Sequence, residues 1–215
     1  MASRVLCNRE TWYNITKDQY SKLEEIDEMF LKKIFEVPKS TPRLSLYVEC
    51  GKIPLRFVIK TRRLMFYWHV LNLDKRELLY KFYEAQKLRS VKNDWVRQID
   101  IDKAELGLEN LSEEDIRNTS KERFRKFVHK RIVDVKKKDF SKIVSKQSKT
   151  KDLDIGKCED VAEYLTSKNL CVKEIQTLLK LKTRMISVKN NFKAANIHNM
   201  WCQTCVLFTE TQEHL

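Results

Sequence analysis

Apolar residues recur along this chain at spacings of three and four, the period of an α-helix and not the alternation of a strand. Leu23, Ile26, Phe30 and Ile34 make the first such stripe, and it is expected to bury one helix face. Ahead of it, Thr16-Lys17-Asp18-Gln19 has the form of a capping box, in which the Thr hydroxyl takes the Gln19 amide proton and the Gln side chain reaches back. Pro38 and Pro42 end this run. Thr41 before Pro42 opens a second helix through Leu44, Leu46 and Tyr47, and Gly51 stops it.

Residues 53–72 predict a third helix, apolar on most sides and so placed at the centre of the fold, with a basic rib at Arg56, Lys60, Arg62 and Arg63. Asp74 is positioned to cap a fourth helix through Gln86. Asp94 caps a fifth from Trp95 to Leu106, ended by Gly107, and Ser112 with Glu113, Glu114 and Asp115 starts a short sixth whose acids suit its dipole. From Ser120 to about Ile143 the apolar positions are Phe124, Phe127, Val128, Ile132 and Val135. Residues 145–156 are polar and rich in Lys and Ser, the composition of a linker. Beyond them Val161, Tyr164 and Leu165, then Ile175, Leu178, Leu179, Met185 and Ile186, predict a helical hairpin. The expected fold is all-α, an irregular multi-helix bundle. Its expected parts are a helical domain at 1–144, a linker at 145–156, the hairpin at 157–197 and a tail at 198–215.

Composition agrees: three Gly and three Pro in 215 residues leave few breakers. Charge adds something new. Residues 117–151 hold fourteen Lys or Arg against only Glu122, Asp134 and Asp139, so most of the formal charge of +13 is one block. Acidic partners at i+4 are mostly missing, and a polyanion such as RNA or DNA is the expected target. The residues expected to touch phosphate are Arg123, Arg125, Lys126, Lys130, Arg131, Lys136, Lys137 and Lys138.

Cys7, Cys50, Cys158, Cys171, Cys202 and Cys205 lack the tight spacing of a small secreted scaffold, so a reducing intracellular setting, nuclear or cytoplasmic, is expected. The most apolar stretch, Leu64–Leu71, is broken by His69 and falls far short of the ~20 residues of a membrane span. No P-loop, Gly-rich dinucleotide turn, nucleophile elbow or His-Glu-x-x-His motif is present, and no small-molecule substrate is expected. The acids Glu24, Glu25, Asp27 and Glu28, and Asp94, Asp100 and Asp102, are expected on the surface. The aromatics Phe66, Tyr67, Trp68, Tyr80, Phe82 and Tyr83 are expected in the core. Cys202-Gln203-Thr204-Cys205 followed by His214 has the spacing of three zinc ligands, with thiolates about 2.3 Å from the metal. A fourth ligand is missing, unless His198 supplies it, and an incomplete zinc site or two free thiols are the alternatives.

Several strings in order resemble one family. They are Glu10-Thr11-Trp12 with Thr16; Ser40-Thr41-Pro42 with Leu46-Tyr47 and Glu49; Ile53-Pro54-Leu55-Arg56-Phe57 with Arg62-Arg63-Leu64-Met65; and Leu79 to Gln86. Val91-Lys92 with Asp94-Trp95, Asn191-Phe192-Lys193, the two cysteines and Thr211 to Leu215 complete the set. Together, nearly end to end, they resemble the segment after the reverse transcriptase domain in non-LTR (LINE-like) retrotransposon polyproteins of invertebrates. Arg9, where the family has a small residue, and Asn93, in place of a common Gly, depart from it.

The resemblance implies a polyprotein fragment that starts inside the polymerase thumb and ends inside a CCHC zinc knuckle, with the reverse transcriptase domain as a partner. The family's palm motif with its paired aspartates is absent, as is an endonuclease motif, so no enzymatic activity is expected of this chain. The expected function is therefore a non-catalytic nucleic-acid-binding fragment. The alternatives are a helical protein-interaction module that docks through the helix at 53–72, and a decayed reading frame without present activity.

Overall fold

A computed structural model describes residues 9–89, 94–146, 150 and 153–183. Nine α-helices account for most of them: α1 (Lys17–Ile34), α2 (Arg43–Glu49), α3 (Leu55–Leu71), α4 (Leu78–Arg89), α5 (Trp95–Glu105), α6 (Glu113–Asn118), α7 (Lys121–Val144), α8 (Glu163–Thr166) and α9 (Val172–Lys182). Among the described residues the only β-type pairing is a single antiparallel bridge between Cys50 and Val161. The all-α expectation holds. The chain divides into two compact units, one of residues 1–27 and 53–139, the other of residues 28–52 and 140–215.

In the first unit α3 is the central element, as its all-round apolar pattern requires. Phe57, Leu64, Tyr67, Val70 and Leu71 of α3 pack with Tyr80 and Tyr83 of α4, Trp95 and Ile99 of α5, Ile116 of α6, and Phe124, Val128 and Ile132 of α7. The rings meet edge to face, Tyr67 with Tyr83 at 5.9 Å and with Trp95 at 6.2 Å between centroids, the arrangement their quadrupoles favour. Burial of an indole needs a partner for its N–H: Trp95 donates to the Glu10 carbonyl at 3.0 Å and Trp68 to the Thr119 carbonyl at 2.8 Å. The aromatic set is thus core, except for Phe82, which is exposed.

The helix ends largely follow the sequence. Thr16 and Gln19 form the reciprocal cap, at 3.3 and 2.9 Å. Asp94 accepts from the Arg97 amide at 2.7 Å, and Ser112 and Asp115 make a full capping box. Asp74 does not cap α4; it accepts from the Arg76 amide inside the preceding turn, and α4 begins only at Leu78.

The stripe of α1 is a correction. Ile26, Phe30 and Ile34 are exposed, with Met29 beside them at 66%, while Glu24 and Asp27 are buried. The helix is turned with its acids inward: Glu24 faces the partly exposed Arg56 of α3 at 3.9 Å, an opposite charge that offsets part of the cost of burying a carboxylate.

In the second unit Leu31, Val37, Leu44, Leu46, Tyr47, Val48, Phe140, Cys158 and Leu179 form the core. Glu28 ties Lys32 at 2.6 Å and Arg43 at 2.8 Å. Gly51 ends α2 with φ +56°, and a Cβ there would lie 2.7 Å from the Asp160 carbonyl carbon, so glycine is required on both counts. The close approach is fixed by the bridge at Cys50, by the Ala162 amide on the Glu49 carbonyl at 2.8 Å and by the Tyr164 hydroxyl on Glu49 at 2.9 Å.

The described residues of 145–156 differ from the linker expected there. Thr150 is fully buried, and Leu153 and Ile155 pack against the core of this unit. Residues 28–52 belong with it, so the division is not sequential as the sequence predicts. Of the expected hairpin the described residues form α8, a single turn, and α9, which starts where Glu174 accepts from the Cys171 amide at 2.7 Å; Met185 and Ile186 lie outside the described residues.

Candidate nucleic-acid interface

Helix α7 runs for 24 residues from Lys121 to Val144. Ser120 caps it, its hydroxyl accepting from the Arg123 amide at 3.4 Å, with Glu122 in the first turn and Lys142 in the last, each suited to the helix dipole. Phe124, Val128 and Ile132, four residues apart, are buried at 2% exposure or less and fix the helix face turned to the core.

Arg123, Arg125, Lys126, Lys130, Arg131 and Lys138 are exposed. Arg123, Lys126 and Lys130 follow one another at spacings of three and four and so lie in one line along the helix. Glu122 and Asp134 stand four residues from Lys126, Lys130 and Lys138, yet among the described residues none of these three lysines, nor Arg123 or Arg125, is in an ion pair. The guanidinium of Arg131 sits over the Phe127 ring, 5.5 Å from its centroid.

Two expected residues fall away. Lys136 follows Ile132 by one turn, lies on the inward side of α7 and is fully buried; Lys137 is half-buried. Both take part in interactions within the fold, and burial removes Lys136 from the surface that a phosphate can reach.

Beside the cationic line, α6 and α7 enclose a groove of about 500 Å³, lined by Leu111, Asp115, Ile116, Thr119, Arg123, Phe124, Lys126, Phe127 and Lys130. Asp115 Oδ2 accepts both the backbone amide and the hydroxyl of Ser112, at 3.0 and 2.6 Å, and these bonds hold its pKa below the ordinary value. Nothing in the spacing of Leu111 and Thr119 marks them in the sequence as neighbours of the basic helix.

The basic rib of α3 has another use. Arg63 is fully buried and donates to Asp102 Oδ2 at 2.9 Å; Lys60 is paired with Glu105; Arg56 reaches Asp139 at 3.1 Å. Only Arg62 is exposed. Burial pushes the Lys60 pKa down and the Tyr20 pKa up. The expected surface position of Glu24, Asp27 and Asp102 is thereby corrected, since each is buried, and Asp102 stays in the core through Arg63 and Gln98. A second polar cluster joins Glu113 to the Tyr83 hydroxyl at 2.6 Å and Lys87 at 2.7 Å. Burial raises the Glu113 pKa, but these two bonds outweigh it and the net shift is downward.

Cys202, Cys205, His214 and His198, the expected zinc ligands, lie outside the described residues. Among the described residues no group of three or more His, Cys, Asp or Glu is placed to hold a metal ion, and no helix is long and apolar enough to cross a membrane. No family model, curated protein or solved structure is found to match the chain.

Proposed function

We propose that this chain is a non-catalytic nucleic-acid-binding segment of the kind that follows the reverse transcriptase domain in non-LTR retrotransposon polyproteins, holding phosphates of template RNA or target DNA on α7. The observation that carries the reading is the set of exposed cations Arg123, Arg125, Lys126, Lys130 and Arg131, none in an ion pair among the described residues, with Arg123, Lys126 and Lys130 in one line opposite the buried Phe124, Val128 and Ile132. A fold gains nothing by leaving so many like charges unpaired on one helix; phosphates are their natural counterions, and binding releases the condensed cations of the polyanion. The reverse transcriptase domain of the same polyprotein is the proposed protein partner. Zinc, if held, falls to Cys202, Cys205 and His214.

The test is a salt titration of binding to single-stranded RNA, duplex DNA and a heteroduplex. Each phosphate contact contributes roughly 0.7–0.9 to the log–log slope, so the variant R123E/R125E/K126E/K130E flattens the slope by about three and lowers affinity at least tenfold in low salt. Unchanged low-salt affinity in that variant removes the proposal.

A second reading, a helical protein-interaction module, draws on the exposed Ile26, Met29, Phe30 and Ile34 of α1. It does not draw on α3, whose apolar side chains are spent in the core. Salt-independent capture of a protein partner, lost in M29E/F30E, favours this reading over the first.

A further inference from the structure

The cations of α7 border an apolar cavity, and a purely phosphate-binding face has no use for one. The groove between α6 and α7 is lined by Leu111, Ile116, Phe124 and Phe127 together with Arg123, Lys126 and Lys130. At about 500 Å³ it falls within the ~300–1,000 Å³ of clefts that hold small ligands or parts of larger ones. Phe127 is 36% exposed to solvent while its neighbours Phe124 and Val128 are buried, and Arg131 lies over its ring.

We propose that this groove takes one unstacked base of a single-stranded nucleic acid, with the flanking phosphates on Arg123, Lys126 and Lys130. The inference rests on the nucleic-acid reading above and specifies its ligand. Three lines of chemistry lead there. A duplex keeps its bases stacked inside and offers α7 only phosphates, whereas a single strand presents a planar apolar face beside each anionic link, which is the pairing of surfaces that the groove complements. Arg123 and Lys130 are separated by about 10 Å of helix, enough to reach the phosphates on either side of one nucleotide. Asp115, whose Oδ2 is committed to Ser112, leaves Oδ1 as an acceptor for the exocyclic amino group of a base. The side chains of an acidic peptide lack a planar apolar surface to fill the cavity.

The experiment uses the full chain with a short oligoadenylate, as RNA and as DNA, the same oligomer with one abasic position, and a duplex of equal length. Wild type is expected to bind the single strands more tightly than the duplex. The variant F127A is expected to weaken single-strand binding roughly five- to a hundredfold, with duplex affinity and the salt slope unchanged. F127Y restores the loss, and wild type discriminates against the abasic oligomer while F127A does not. A preference between the RNA and DNA arms assigns the strand. Because Phe127 is already partly solvated, F127A is expected to melt within a few degrees of wild type; an F127A that unfolds is replaced by the abasic comparison, which needs no variant. Equal affinity of wild type for intact and abasic strands overturns the base-in-groove proposal while salt-dependent binding keeps the parent reading. Tighter binding of a polyglutamate peptide than of any oligonucleotide overturns it in favour of a protein occupant. Absence of binding to every nucleic acid in low salt removes the parent reading and this one with it.

Discussion

Helices α3 and α7 carry similar side chains to opposite ends. Arg56, Lys60 and Arg63 of α3 face Asp139, Glu105 and Asp102 and are drawn into the fold. Arg123, Arg125, Lys126 and Lys130 of α7 are exposed and, among the described residues, in no ion pair. The difference is the pairing of carboxylates: α5 and α7 deliver Asp102, Glu105 and Asp139 into contact with α3, whereas Asp115, which lines the same groove as Arg123, Lys126 and Lys130, is bonded to Ser112 and forms no ion pair with them. A basic residue is a binding residue only where the fold withholds its counterion.

The sharpest way to break this contrast is at the buried pair. Arg63→Ala leaves the Asp102 carboxylate buried without its partner and is expected to destabilise the protein by about 3–5 kcal/mol in a denaturant melt. R63M/D102L, which removes both charges at similar volume, is expected to recover most of that loss. If Arg63→Ala unfolds like wild type, the pair is not what holds Asp102 in the core.

Glu113 lies between the two extremes, half-buried and bonded to Tyr83 and Lys87. Its pKa is lower in the folded protein than the ordinary glutamate value of 4.5, so the unfolded chain binds more protons in that range. The stability it contributes is full above about pH 4.5 and is lost as the pH falls through the lowered folded value. Melting temperatures of wild type and E113Q are expected to converge on acidification; curves that stay parallel from pH 6 to pH 3 count against the assignment.

The smallest effect is expected on α7. Single alanine replacements at Arg125, Lys126 or Lys130 are expected to change stability by less than about 0.5 kcal/mol, in the stabilising direction where they relieve like-charge repulsion. A loss above 1 kcal/mol would reveal a structural role and place these cations with those of α3.

Most helices were legible because their periods and caps are local: Thr16 with Gln19, Asp94 with Arg97 and Ser112 with Asp115 act within three residues of one another. Six of the eight cations expected to touch phosphate, Arg123, Arg125, Lys126, Lys130, Arg131 and Lys138, stand exposed on α7 without an ion pair among the described residues, Arg131 over a ring. Lys136 was misplaced because a charge count along a sequence ignores that position 136 lies one turn after the buried Ile132. The α1 stripe failed for the converse reason: Ile26, Phe30 and Ile34 recur with helical period, but the period does not say which face the neighbours will accept.

By itself, then, the chain's sequence determined the helical class, the places where helices start and stop, and the concentration of positive charge near residues 117–151, because each depends on residues within a turn or two. Tertiary structure alone decided which cations keep company with acids, that Glu24, Asp27 and Asp102 go inside, and that Leu111 and Phe127 share a groove. Those outcomes depend on pairs such as Arg63 and Asp102, 39 residues apart, whose meeting is fixed by how helices pack and not by any spacing along the chain.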